Sequence, residues 1–164
     1  MGQASSHRYV IALGSNMRVP GVGAPRAVLL TALERLADRG VEVEIASHIR
    51  ASHPVGPSLR TYANGAAIVS APLDPPTMLA LLQSVESEFG RERRGARWRA
   101  RSLDLDIVLW SGGAWFAPDL VIPHLLFRER DFVLLPAAEI APDWRDAVTG
   151  LTLRQLAGRA ALAR

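Results

Sequence analysis

The chain has 164 residues, a formal net charge of +3 and no cysteine, and all 19 of its basic residues are arginine. The absence of cysteine and lysine excludes disulfides, thiol nucleophiles, cysteine-based zinc sites, a P-loop lysine and a Schiff-base amine. No apolar run approaches the ~20 residues that cross a bilayer, and the N terminus does not resemble a secretory leader. We therefore expect one cytoplasmic, monomeric domain over residues 1–164, with a disordered tail at residues 1–7 and no membrane or nucleic-acid partner.

Hydrophobic periodicity and turn residues predict six elements before residue 118. In chain order they are a strand at 9–14, a helix at 27–37, strands at 41–45 and 66–69, a helix at 75–89 and a strand at 103–110. The second helix has a clear start, because an aspartate cap is followed by proline at Asp74-Pro75-Pro76. This βαββαβ order predicts an α+β, ferredoxin-like sandwich, with two helices on one face of an antiparallel sheet. Residues 118–164 are expected to add short peripheral helices.

The last predicted strand carries two aspartates, Asp104 and Asp106, between apolar residues. Because side chains alternate along a strand, both carboxylates share one face, about 7 Å apart. Carboxylates on a buried strand are costly unless they are paired or bind metal, and this spacing lets them bind the same pair of hard cations. Six arginines lie directly before the strand, between residues 91 and 101, and can bind the phosphates that such cations bridge. The segment indicates metal-assisted phosphoryl chemistry on a nucleotide.

Other functions fit parts of this pattern. An Asp-x-Asp pair is often the polar face of a half-exposed sheet, and an arginine run is usually solvated. A ferredoxin-like domain could bind RNA, but such modules stack bases on aromatic residues of the central strands, which this pattern does not provide. A metal-dependent nuclease or nucleotidyltransferase usually has a third acidic ligand, and the spacing shows none. A relative that keeps the fold without activity is the remaining alternative.

An ordered set of motifs resembles the 6-hydroxymethyl-7,8-dihydropterin pyrophosphokinases of folate biosynthesis. The most specific is the run from Arg97-Trp98-x-x-Arg101 to Asp104-Leu105-Asp106. The others are Ala12-Leu13-Gly14-Ser15-Asn16, Pro54-Val55-Gly56-Pro57, Tyr62-Ala63-Asn64, Glu86…Phe89-Gly90-Arg91, Ile122-Pro123-His124 and Arg130-x-Phe132. The resemblance extends from about Tyr9 to Pro142. It implies a ferredoxin-like fold, in agreement with the order of the predicted elements.

The resemblance also implies a reaction: the β,γ-pyrophosphoryl group of ATP passes to the hydroxymethyl group of a reduced pterin, and AMP is released. Asp104 and Asp106 match aspartates that bind two magnesium ions, and Arg91 and Arg101 match arginines that contact the phosphates during catalysis. The positions that match the nucleotide site are Gln83, Glu86, Arg93, Arg97, Trp98, Ile107, His124 and Arg130, with Arg93, Arg97 and Trp98 on a mobile loop. The positions that match the pterin pocket are Ser52, Pro54, Val55, Tyr62, Asn64 and Phe132.

Spacing alone leaves two of these residues open to other interpretations. Glu86 fits an exposed helix position equally well, and His124 fits a structural histidine in an apolar stretch. His48 and His53 are expected on the surface.

Overall fold

A computed structural model describes residues 5–52, 61–90 and 102–163 of the chain. The elements up to residue 110 are β1 (His7–Ser15), α1 (Pro25–Asp38), β2 (Glu42–Ala46), β3 (Arg50–Ser52), β4 (Tyr62–Ala71), α2 (Pro75–Glu88) and β5 (Asp104–Trp110). They are followed by β6 (Trp115–Ala117), β7 (Leu120–Ile122), a 3-10 turn (Phe127–Glu129), α3 (Asp131–Ile140) and α4 (Leu153–Leu162). None of the helices in these described ranges combines the length and the apolar character required to cross a bilayer.

The main sheet is antiparallel with the strand order β2-β4-β1-β5, and β3 also pairs with β4. Strands β2 and β3 are two segments of one edge, because Ala46 pairs with Ala67 of β4 and Arg50 pairs with Asn64 of the same strand. Taken as one strand, they complete the order that a βαββαβ ferredoxin-like unit adopts. The predicted fold class is confirmed.

The two faces of the sheet bury separate hydrophobic cores. Tyr9, Ile11 and Leu13 of β1 pack with the apolar sides of α1 and α2, whereas Val10 and Ala12 pack with α3 and α4. The C-terminal helices were expected to be peripheral, but both contribute fully buried residues to this second core. The physical reason is that β1 and β4 are apolar on both faces, so each face requires a helical layer.

Two local predictions are wrong. His7 is the first residue of β1 and pairs with Ala71 of β4, so the predicted tail extends one residue too far. In the strand predicted at 41–45, regular alternation would put Val43 and Ile45 on one half-buried face, but the register shifts between them and Ile45 is 47% exposed. An extra residue in one strand turns the side chains that follow it to the other face.

Local sequence explains where α2 and α4 begin. Asp74 Oδ1 accepts a hydrogen bond from the Thr77 N–H at 3.1 Å, and proline occupies the first turn, where an N–H has no helical partner. Thr152 caps α4 and exchanges two hydrogen bonds with Gln155 in a capping box. These caps fix the starts of two helices on opposite faces of the sheet.

Candidate active site

Three neighbouring strands bring two candidate residues, Asn64 and Asp104, into a single row with Gly14 at one end of the sheet. Gly14 of β1 pairs with Asn64 of β4 on one side and with Asp104 of β5 on the other. Since neighbouring strands lie about 4.8 Å apart, Asn64 and Asp104 are separated by roughly 10 Å across Gly14. Asn64 is buried and Asp104 is half-buried. The row places a hydrogen-bonding amide and a carboxylate on either side of a residue that has no side chain.

Asp104 and Asp106 share one face of β5, as the alternation predicted. Leu105 and Ile107 belong to the core formed with α1 and α2, so the carboxylates lie on the opposite face, the one against which α3 packs. Both aspartates are half-buried. This donor set fits magnesium, which binds one or two protein carboxylates and completes its shell with water and phosphate oxygens. Within residues 5–52, 61–90 and 102–163, no group of three or more His, Cys, Asp or Glu side chains is placed to bind a metal ion.

Gly14 and Asn64 are in close contact. A Cβ added to Gly14 would lie 3.3 Å from Asn64 Oδ1, closer than an ordinary van der Waals contact. Tyr62 precedes Asn64 by two residues in β4 and is half-buried, so both side chains face the same way, as an extended segment requires. Ser52 is the register partner of Tyr62. The described pterin-pocket candidates on β3 and β4 therefore lie together beside the glycine.

Glu86 connects α2 to the outer edge of β5. Its Oε2 accepts a hydrogen bond from the Leu105 N–H at 3.0 Å, and the residue is only 3% exposed. The alternative that placed Glu86 on an exposed helix surface is therefore wrong. A buried carboxylate requires hydrogen-bond donors, and the N–H of an edge strand supplies one.

His124 lies beside the same edge. Its N–H donates to the Val108 carbonyl at 3.0 Å, and its Nδ1 accepts from the Leu126 N–H at 3.1 Å. Because Nδ1 is an acceptor, the neutral ring carries its proton on Nε2, and that nitrogen is the donor. These contacts give His124 a structural role and also fix which ring nitrogen can donate to a ligand.

Arg130 and Phe132 begin α3 on the carboxylate face of the sheet. The Arg130 carbonyl accepts from the N–H groups of Val133 and Leu134 at 2.9 and 2.8 Å. Its guanidinium carbon lies 5.8 Å from the centroid of the Phe132 ring, a cation–π contact, and Phe132 is 48% exposed. The first turn of α3 thus presents a cation and an accessible ring close to each other.

Comparison with protein families matches residues 10–142 to the 7,8-dihydro-6-hydroxymethylpterin-pyrophosphokinases (HPPK). The chain belongs to this family. Similar curated relatives are named 2-amino-4-hydroxy-6-hydroxymethyldihydropteridine pyrophosphokinase. The Synechocystis relative is 38% identical over 92% of this chain and 74% of its own length. The Pseudomonas aeruginosa relative is 39% identical over 84% of this chain and 83% of its length, and that of Methylorubrum extorquens is 35% identical over 90% of each.

Solved structures of Plasmodium falciparum HPPK-DHPS resemble the pyrophosphokinase chain in fold. The wild-type structure with pteroate has a TM-score of 0.73 and 14% identity, and the match covers 98% of this chain and 43% of that chain. At this identity the likeness shows the fold alone. The present chain therefore spans less than half of that longer protein.

The remaining candidate residues differ in burial, and several of them lie outside the described residues. Gln83 is half-buried one helical turn before Glu86. The Ile107 side chain is 3% exposed and belongs to the core. His48, predicted at the surface, has a side chain that is 93% exposed. The candidates that lie outside the described residues are Arg91, Arg93, Arg97, Trp98, Arg101, Pro54 and Val55, together with His53.

The sequence patterns did not predict two interactions that the structure contains. Ser15 Oγ donates to the Ser102 carbonyl at 2.6 Å and joins the end of β1 to the residues before β5. The Gly14-Ser15-Asn16 turn was a signal for Ser15, but its partner cannot be found from spacing. The second feature is an ion pair between Arg128 and Asp146, whose two residues carry no local motif.

Proposed function

We propose that this pyrophosphokinase transfers the β,γ-pyrophosphoryl group of ATP to the hydroxymethyl oxygen of 6-hydroxymethyl-7,8-dihydropterin, releasing AMP, as a step of folate biosynthesis. The row of Asn64, Gly14 and Asp104 carries the proposal. It sets an amide that can recognise a polar heterocycle close to a carboxylate pair that can bind magnesium. Enzymes transfer phosphoryl groups mainly by positioning and charge stabilisation, and this geometry provides for both.

The pterin is assigned to the β4 side of the row. Asn64 offers both a donor and an acceptor to the edge of the bicycle, while Tyr62 and Phe132 offer aromatic surface to its faces. Gly14 then lies between the pterin and the carboxylates, with no side chain in the direction of transfer. Ser52, Pro54 and Val55 complete the proposed pocket on the basis of the resemblance.

The phosphates are assigned to the β5 side of the row. Asp104 and Asp106 would bind magnesium, two ions in this proposal. When bound, magnesium supplies positive charge that neutralises phosphate oxygens. Arg91 and Arg101 are proposed to contact the phosphates, because a guanidinium can donate two parallel hydrogen bonds to one phosphate.

The nucleotide is assigned to the outer edge of β5, which Glu86 and His124 both reach. The Leu105 N–H points to this edge, and in a regular strand the N–H of Ile107, two residues further along, would point the same way. Ile107 would therefore contact the nucleotide through its backbone, because its side chain is in the core. The other residues proposed for this part of the site are Gln83, Arg93, Arg97, Trp98 and Arg130.

The test is incubation of the purified protein with ATP, magnesium and 6-hydroxymethyl-7,8-dihydropterin, with AMP and ADP resolved. AMP that forms only when the pterin is present would support the proposal. ADP as the product, or AMP that forms equally without the pterin, would contradict it. The monomeric state, the cytoplasmic location and the lack of a nucleic-acid partner stay predictions from the sequence.

A further inference from the structure

An ion pair between Arg128 and Asp146 joins the 3-10 turn to the loop that leads into α4. Arg128 Nε lies 2.6 Å from Asp146 Oδ2, and Arg128 Nη2 lies 2.6 Å from Oδ1. The Asp146 side chain is fully buried, whereas the Arg128 side chain is 25% exposed. Two parallel hydrogen bonds to a planar guanidinium fix its orientation as well as its position.

Asp146 is held in a closed turn. Its Oδ2 also accepts from Thr149 Oγ1 at 2.7 Å, and its Oδ1 also accepts from the Val148 N–H at 3.0 Å. The Asp146 N–H donates to the Leu151 carbonyl, and its carbonyl accepts from the Gly150 N–H, each at 2.8 Å. Both carboxylate oxygens thus have two donors, and any displacement of Asp146 would break several hydrogen bonds at once.

Arg128 belongs to the 3-10 turn that separates His124 from Arg130. Its guanidinium carbon lies 4.6 Å from the centroid of the Phe127 ring, and Phe127 is fully buried. The Arg130 N–H donates to the Phe127 carbonyl at 3.4 Å, so the turn and the start of α3 are connected by backbone as well. Phe127 therefore contacts both Arg128, through its ring, and Arg130, through its carbonyl.

We propose that the Arg128–Asp146 pair is a positioning device for the nucleotide side of the site, which fixes the 3-10 turn so that His124 and Arg130 keep the orientation that binds ATP. This inference rests on the roles proposed above for those two residues. Burial of an ion pair is weak evidence for net stability, since the desolvation cost offsets the attraction. Its directional hydrogen bonds, in contrast, select one geometry of the turn, and this is the property that a binding site requires.

Arg128→Lys and Asp146→Asn test the proposal. Lysine keeps the positive charge but cannot form the paired hydrogen bonds, and asparagine keeps the shape but lacks the charge. We expect each variant to raise the KM for ATP by about ten-fold, since small misplacement of a binding group is costly. The KM for the pterin and kcat should change less than about two-fold. All assays are run well below the melting temperature of the least stable variant. If Asp146→Asn does not fold, the Arg128→Lys variant alone decides the test.

Two further variants make the result specific. Leu156→Ala removes a buried side chain of the same core from α4 and should lower the melting temperature without changing the KM for ATP. A KM for ATP that rises equally in this control, or that stays unchanged in both pair variants, would overturn the inference. Arg130→Ala separates the role proposed for Arg130 from the positioning role proposed for the ion pair. If it leaves the KM for ATP unchanged, the role proposed for Arg130 fails; if it raises that KM and Arg128→Lys does not, only the positioning role fails.

Discussion

Gly14 is important to the proposed site because it has no side chain. Its φ is not positive, so conformational freedom does not explain why glycine is found here. The explanation is the close approach of Asn64 Oδ1, which leaves little room for a Cβ, and the position of Gly14 between the proposed pterin and phosphate sites. In the proposed site, the absence of a side chain at Gly14 is therefore as important as the carboxylates on the neighbouring strand.

Gly14→Ala should raise the KM for the pterin about ten-fold, because the added methyl group would displace the Asn64 amide. Each pterin polar group left unpaired costs about 1–3 kcal/mol, and a cost of about 1.4 kcal/mol weakens binding ten-fold. The KM for ATP should change little, and Asn64→Ala should show the same selectivity. Gly158→Ala is the matched control, because no atom lies within 4 Å of its added Cβ. Equal losses for both substrates would mean that Gly14 supports the whole site and not pterin binding in particular.

Asp104→Asn and Asp106→Asn should each lower kcat by about 100-fold or more, because bound magnesium contributes several kcal/mol of charge stabilisation. Neither change should reduce thermal stability, since a neutral amide removes repulsion between two neighbouring carboxylates. Asp38→Asn, on a side chain that is 70% exposed at the end of α1, is the control. Near-normal turnover of either variant at saturating magnesium would refute the metal assignment.

At the scale of elements, the site depends on how α2 and α3 meet the sheet from opposite faces. Glu86 reaches the edge of β5 from the α1 and α2 side, whereas Arg130 and Phe132 approach from the side of the second core. Among the described residues, α3 packs mainly against β4, whereas the hydrogen bond from Leu105 to Glu86 connects α2 to the edge strand β5. Its position relative to α2 should depend on the Glu86 carboxylate.

Glu86→Ala should destabilise the protein by about 1–3 kcal/mol, because the buried Leu105 N–H loses its acceptor. Glu86→Gln should cost much less, since the amide oxygen can still accept that hydrogen bond. Hydrogen exchange at the Leu105 amide measures this directly: protection should fall in the alanine variant and persist in the glutamine variant. Identical protection in both would show that another group satisfies the N–H.

Sequence patterns predicted those parts of the fold whose signals are local. The alternation around Asp104 and Asp106, and the Asp74 cap of α2, follow from neighbouring residues and are confirmed. The bulge before Ile45 and the pairing of β3 depend on how a strand meets its neighbour, which no local pattern contains. The Arg128–Asp146 pair is similar, since it arises from two packed segments. In the proposed site, the carboxylates could be found from spacing, while the roles proposed for the nucleotide and pterin residues came from the resemblance.

At the scale of the whole molecule, the main sheet of the described residues lies between two helical layers. The second layer covers Val10 and Ile68 and carries the start of α3. Asp146 lies in the loop between α3 and α4 and links that loop to the 3-10 turn. The stability of the layer should therefore respond to the protonation of that one carboxylate.

Acid should weaken the second layer through Asp146. Burial raises the pKa of Asp146, but hydrogen bonds from Arg128, Thr149 and Val148 outweigh it, so the pKa lies below its ordinary value. A carboxyl with a lower pKa when folded stabilises the protein above the unfolded pKa of about 4, and that contribution is lost as the pH falls through the folded pKa. The difference in melting temperature between wild type and Asp146→Asn should thus be constant at neutral pH and shrink below about pH 4.

Thermal unfolding between pH 7 and pH 3 measures this difference. Hydrogen bonds from Thr77 also lower the pKa of Asp74, so the variant should keep part of the acid sensitivity of the wild type. A difference that does not depend on pH would contradict the assignment.

The row of Asn64, Gly14 and Asp104 also has a consequence for how activity appears during folding. Its three residues come from strands that are far apart in sequence, and loop-closure entropy opposes each pairing until the contacts form. No single hairpin or helix contains the row, because β1 must pair with β4 on one side and with β5 on the other. A growing or refolding chain therefore completes the row only when both pairings have formed. Catalysis should return only with the last of these pairings, and the recovery of enzyme activity would time the closure of the sheet.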